Sequence, residues 1–114
     1  MAAKAVTITK KVSPPATSGT YYRILCMTGK NKGVSYFLNG NRVVMGRSEK
    51  IDITIHDQKS SREHCELVRH SDTYVLTDLG SQNGVMINDL KVTQHTLNDG
   101  DKIIIGKTVY KYNK

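Results

Sequence analysis

Ile51-Asp52-Ile53-Thr54-Ile55 puts every apolar side chain on one side of an extended chain and every polar one on the other. That period of two suits a strand with one face on a core and not a helix, whose faces repeat every 3.6 residues. The same strand texture recurs in residues 21–27, 34–38, 42–45, 64–69, 73–79, 85–88, 102–105 and 109–112. No sustained helical period appears anywhere. Turn signals separate these runs: a Gly, Lys and Asn cluster at 28–33, Asn39-Gly40, and the polar His70-Ser71-Asp72. Asn39-Gly40 is a strong two-residue hairpin signal, so residues 42–45 are expected to pair back on 34–38. Roughly ten short strands with turns between them make the chain all-β, an antiparallel sandwich or barrel.

At 114 residues, 38% of them hydrophobic and 24% charged, the chain is one globular domain. Its longest apolar run, Ile103-Ile104-Ile105, reads as a buried strand and falls far short of the ~18 residues that span a bilayer. The start, MAAKAVTITKK, is too polar for a signal-peptide core. Cys26 and Cys65 both sit in apolar alternating segments, which suits free buried thiols. A cytoplasmic domain with no membrane attachment is expected. Residues 1–19 read as a flexible leader: Ser13-Pro14-Pro15 blocks regular structure and Ala, Thr, Ser and Gly follow. The domain proper spans 20–114. Of the net charge of +7, three lysines without an acid fall in residues 1–20, and the rest carries 14 bases against 10 acids. Such an excess serves nucleic acid, an acidic ligand or only a solvated surface.

In a sandwich the loops gather at two ends and carry the binding chemistry. Here the chemically loaded loops are 46–50, 58–62 and 80–84. Ser61 and His64, three apart, could begin a hydrolytic pair, but no third residue or oxyanion hole is evident. Gly80-Ser81-Gln82-Asn83-Gly84 places its serine second, so the G-x-S-x-G elbow is not met. His56, His64, Cys65, His70 and His95 lack metal-ligand spacing, and adjacent His64 and Cys65 in a strand face opposite ways. Gly106-Lys107-Thr108 resembles the end of a phosphate loop, yet five residues separate Gly106 from Gly100 where four are needed. No cofactor or metal is expected.

An anion grip survives these tests. Arg47 follows a strand-ending Gly46, and Lys59 and Arg62 bracket two serines. Arginine offers a planar fork to two phosphate oxygens, serine a short hydroxyl donor and lysine a point charge. Three short basic loops suit a phosphorylated side chain better than a duplex, which is tracked by a long basic stripe.

The ordered set Gly46-Arg47, Ser61-Arg62-Glu63-His64 and Asp78-Leu79-Gly80-Ser81-Gln82-Asn83-Gly84 resembles the forkhead-associated (FHA) domain family. Met86-Ile87-Asn88, Leu97-Asn98-Asp99-Gly100-Asp101 and Ile103-Ile104-Ile105-Gly106 continue the likeness, which covers about residues 21–113. It implies an eleven-stranded β-sandwich, from a bacterial source, that binds phosphothreonine peptides through loops at one end and is not an enzyme. By position, Arg47 and Ser61 look like the phosphate-contacting pair, since Ser61 lies three before the histidine and Ser60 does not. Arg62 resembles the basic residue that follows, and Asn83 the side chain that bonds the peptide main chain. Lys59 and Gln82 fall at positions that shape specificity. His64, Gly46, Gly84 and Asn88 resemble structural positions. Gln82 replaces a common hydroxyl residue, Val85 a usual Thr and Asp89 a usual Gly; none of these touches Arg47, Ser61 or Asn83.

The expected function is a phosphothreonine-reading signalling module downstream of a Ser/Thr kinase. Thr7, Thr9, Thr17 and Thr20 in the leader offer targets for that kinase, and tethering would favour capture of the domain's own tail. A basic nucleic-acid-binding β domain is the alternative, and a sandwich used only for protein docking is a third reading. The last expected strand ends two residues before Lys114, which suits an N-terminal input module of a longer protein.

Overall fold

The computed structural model describes residues 6–8 and 22–114. Twelve strands follow one another: β1 (Val6–Ile8), β2 (Tyr22–Cys26), β3 (Ser35–Leu38), β4 (Arg42–Gly46), β5 (Ile53–Thr54), β6 (Cys65–His70), β7 (Thr73–Asp78), β8 (Val85–Ile87), β9 (Leu90–Val92), β10 (Gln94–Thr96), β11 (Lys102–Ile105) and β12 (Thr108–Asn113). One sheet has the order β1-β3-β2-β12-β11-β8-β9 and the other β10-β7-β6-β4-β5. The fold is the expected sandwich, and eleven of its strands lie from Tyr22 onward. No helix is long and apolar enough to cross a membrane among the described residues.

Alternation builds the core. From the first sheet, Ile24 and Cys26 of β2, Tyr110 and Tyr112 of β12, Ile103 and Ile105 of β11, and Val85 and Ile87 of β8 turn inward. Val43 and Met45 of β4, Cys65 and Leu67 of β6, and Tyr74 and Leu76 of β7 answer them from the second sheet. Register keeps the faces in phase: Tyr110 stands opposite Cys26 and Tyr112 opposite Ile24. Both cysteines are buried free thiols, as their setting predicts. In the 51–55 run only Ile53 and Ile55 are fully buried; Ile51 is half-exposed before the strand begins.

Three expectations need correction. The 34–38 and 42–45 runs do not pair across Asn39-Gly40. β3 pairs with β1 and β2, whereas β4 pairs with β6 and β5. Residues 39–41, with Gly40 at φ 86°, carry the chain from one sheet to the other, a step of about 10 Å. Pairing is also not wholly antiparallel, because Met45 and Gly46 of β4 run parallel to Ile53 and Thr54 of β5. Finally, Val6–Ile8, read as leader, form β1 against β3, with Thr7 opposite Tyr36. The rest of the leader, including Thr9, Thr17 and Thr20, lies outside the described residues.

Candidate functional site

Three segments, Gly46–Lys50, the stretch from Ile55 to His64, and Leu79–Gly84, are laced into one surface by main-chain bonds. Gly46 ends β4 flush against the second segment. A Cβ there would lie 2.7 Å from the Arg62 carbonyl carbon and 2.9 Å from the His64 nitrogen, so only glycine fits. The contact brings Arg47 N to Ser61 O at 2.9 Å and Ser48 N to Arg62 O at 3.2 Å.

His64 is completely buried and ties the second segment to the third. Its Nδ1 accepts from Ser61 N at 2.9 Å, which leaves Nε2 to donate to Gly84 O at 2.8 Å. That pairing fixes the Nε2–H tautomer and spends the whole ring on scaffold. Gly84 turns the chain at φ 79°, with Lys91 packed where a Cβ would stand, and its nitrogen donates to Ser81 Oγ at 2.9 Å. Asn88, the other expected structural residue, lies elsewhere. It adopts φ 56° in the β8–β9 turn, donates from its side chain to Asp101 and accepts from Lys102 N.

The side chains on this lattice fall into spent and unspent groups. Ser60 is buried and its hydroxyl donates to Asp57 O at 2.6 Å. Ser61 is half-exposed; its Oγ accepts from Gln82 N at 3.1 Å and its proton stays free to donate. Arg47 donates from Nε to Ser60 O at 3.1 Å, which steers its fork while the terminal nitrogens stay uncommitted. Asn83 donates from Nδ2 to Lys59 O at 2.7 Å and keeps its side-chain oxygen as an acceptor. Lys59, Arg62 and Gln82 are exposed, and none of the three ion pairs among the described residues uses Arg47, Lys59 or Arg62. The three loops thus carry the terminal nitrogens of Arg47, the guanidinium of Arg62, the ammonium of Lys59, the hydroxyl proton of Ser61 and the side-chain oxygen of Asn83. Such a set suits a compact dianion attached to an extended chain.

Asp57 is the residue that sequence reasoning missed. Its Oδ1 accepts from Lys59 N at 2.9 Å, and its Oδ2 accepts from Lys107 N at 2.8 Å and Thr108 Oγ1 at 3.0 Å. Partial burial pushes its carboxyl up, but these bonds and the Lys59 charge outweigh it and hold the group below its ordinary value. An acid two residues before a loop nitrogen is the signature of an Asx turn, and that half was readable. Buried Cys65 has its thiol pushed far up, first by burial and then by Asp78 and Glu66, so it takes no part in chemistry here.

A family model described as FHA domain matches residues 43–106. The oxoglutarate dehydrogenase inhibitor of Corynebacterium diphtheriae is 32% identical over 96 residues, covering 84% of this chain and 65% of its own. The chain spans only part of the curated relatives it matches, 65% of that one and 55% of its Corynebacterium jeikeium counterpart. These relatives are bacterial, as expected. A solved structure from a study of phosphothreonine-dependent FHA domain interactions superposes with a TM-score of 0.76 at 26% identity, covering 83% of this chain and 97% of that one. Mycobacterium tuberculosis EmbR, solved with a low-affinity phosphopeptide, gives a TM-score of 0.75 at 29% identity over 82% of this chain and 24% of its own. The matched family model covers more than half of the sequence, and the chain belongs to the FHA, or forkhead-associated, domain family.

Proposed function

We propose that the domain is a phosphothreonine-reading regulatory module in which Arg47, Ser61 and Arg62 hold the phosphate and Asn83 the peptide main chain. The observation that carries this reading is the division between the two serines: Ser60 has its hydroxyl spent on Asp57 O, while Ser61 has its oxygen fixed by Gln82 N and its proton unclaimed. Phosphothreonine brings nearly two negative charges and three acceptor oxygens where threonine brings one neutral hydroxyl, so charge-assisted bonds discriminate between them. Each is worth roughly 1.5–3 kcal/mol net of the exchange with water. Lys59 and Gln82 tune the choice of peptide, with Lys59 favouring an acidic residue beyond the phosphothreonine.

The module binds and does not catalyse, works in the cytoplasm, and takes its mark from a Ser/Thr kinase. Its partner is a phosphorylated protein in trans or its own tail. Thr7 pairs in β1 opposite Tyr36, so capture of that residue in cis requires β1 to leave β3. Mass spectrometry of the native protein that finds no phosphate on residues 1–20 would count against self-capture. The nucleic-acid alternative is disfavoured because the aromatics among the described residues, Tyr22, Tyr36, Phe37, Tyr74, Tyr110 and Tyr112, are all buried and cannot stack on bases.

Isothermal calorimetry against a degenerate peptide library with one fixed phosphothreonine tests the proposal. Arg47→Ala and Ser61→Ala are each expected to weaken binding at least about tenfold with the fold intact. Unchanged affinity for Arg47→Ala would remove the site assignment.

A further inference from the structure

Resting on the phosphothreonine reading, we propose that Asp57 is a positioning residue of that site. Its carboxylate clamps the stretch 59–61 to the β11–β12 turn, and Arg47 and Asn83 hang on that stretch.

The chain of contacts is continuous. Asn83 Nδ2 reaches Lys59 O at 2.7 Å, Arg47 Nε reaches Ser60 O at 3.1 Å, and Arg47 N reaches Ser61 O at 2.9 Å. Both proposed ligand-holding residues therefore take their placement from three successive carbonyls. Asp57 sets where those carbonyls stand. Its carboxylate holds Lys59 N, and its own carbonyl accepts Ser60 N at 3.0 Å and the Ser60 hydroxyl at 2.6 Å. The clamp's other jaw belongs to the opposite sheet, where Oδ2 holds Lys107 N and Thr108 Oγ1 across 50 and 51 residues of sequence.

The turn is shaped to receive the carboxylate. Gly106 sits at φ 61°, and a Cβ there would fall 2.7 Å from Oδ2 and 2.8 Å from Oδ1. Two oxygens serve three donors, so an amide of the same shape fails: its NH2 would face an N–H. Lys59 and Lys107 are exposed, so water can replace the lost acceptor and the fold tolerates the change while the loop loosens. A loosened stretch misplaces Arg47 and Asn83 together, and affinity depends on such pre-organisation.

Two variants test this without touching Arg47, Ser61 or Asn83. Asp57→Asn replaces one of the two acceptor oxygens with an NH2, and Thr108→Val removes one donor from β12, which serves if Asp57→Asn proves unable to fold. Binding of the degenerate phosphothreonine library, and of its unphosphorylated twin, is measured by calorimetry beside thermal unfolding. Asp57→Asn should weaken binding about tenfold and Thr108→Val about threefold, the range for groups in one hydrogen-bond network. In nitrogen-15 spectra of the free protein, the Arg47 Nε–H and Asn83 side-chain amide signals should move in both variants, which a loss of stability alone would not produce. Folded variants that bind as wild type does, or that leave those two signals in place, overturn the proposal. If wild type ignores the phosphorylated library while the signals still move, the phosphothreonine reading falls and the positioning role of Asp57 stands.

Discussion

His64 shows how a reactive-looking residue becomes structural. Its two ring nitrogens join Ser61 N to Gly84 O inside a fully buried position. His64→Ala strands a donor and an acceptor away from water and opens a cavity, so a loss of about 2–4 kcal/mol in urea unfolding is expected. Buried thiols allow a second check. Burial raises both cysteines, with a hydrogen bond from the Thr28 backbone opposing it at Cys26 and acidic neighbours adding to it at Cys65. Neither should react with a disulfide reagent at pH 8 until the domain unfolds, and prompt labelling of the native protein would contradict their burial. On the family pattern, counting back from His64 separates Ser61 from Ser60, a step the resemblance supplies and whose spacing is local. Asp57 escapes the same count, since two of its three carboxylate partners lie at Lys107 and Thr108, in a different sheet.

Strands were legible where one face is buried, and their partners were not. The alternation in β2, β6, β7, β11 and β12 marks each element, because a one-residue slip would put its apolar side chains in water. β9 and β10 pass unnoticed because Leu90, Lys91, Gln94 and Thr96 are exposed, so no inward face is written into them. Asn39-Gly40 shows that a turn signal fixes a bend but not the sheet into which the next strand goes. At that bend Tyr74 Oη donates to Gly40 O at 2.8 Å, pinning the crossover from the β7 side. Tyr74→Phe keeps the ring contact with Tyr22, at 5.4 Å between centroids, and removes this bond together with the hydroxyl's hydrogen bond to Arg69. A loss of about 0.5–1.5 kcal/mol with an unchanged denaturant slope is expected. A changed slope would mean that the crossover itself has come loose.

Across the whole molecule, the Asp57 carboxylate is a polar tie between the two sheets at the loop-bearing end, and Asp99 ties the turn before β11 to the end of β12 within one sheet. Hydrogen bonds from Lys114 N and the Asn113 side chain hold the Asp99 carboxyl below its ordinary value, as those at Asp57 do. A carboxyl depressed by folding binds fewer protons in the native state than in the unfolded chain. Its stabilisation is therefore complete above the unfolded value of about 4 and is lost as pH falls through the lower native value. Asp57→Asn has no such proton to take up. The urea midpoint of wild type should exceed that of Asp57→Asn at pH 7, and the gap should close as pH falls below about 4. Phosphopeptide binding follows a different ionisation, since the second phosphate proton leaves near pH ~6. Lowering pH from 7 to 5 should thus weaken phosphopeptide affinity in a range where the wild-type and Asp57→Asn midpoints keep their separation. A gap that shrinks already between pH 7 and 5 would show that something other than the Asp57 carboxylate sets it, and the tie between the sheets would have to be sought elsewhere.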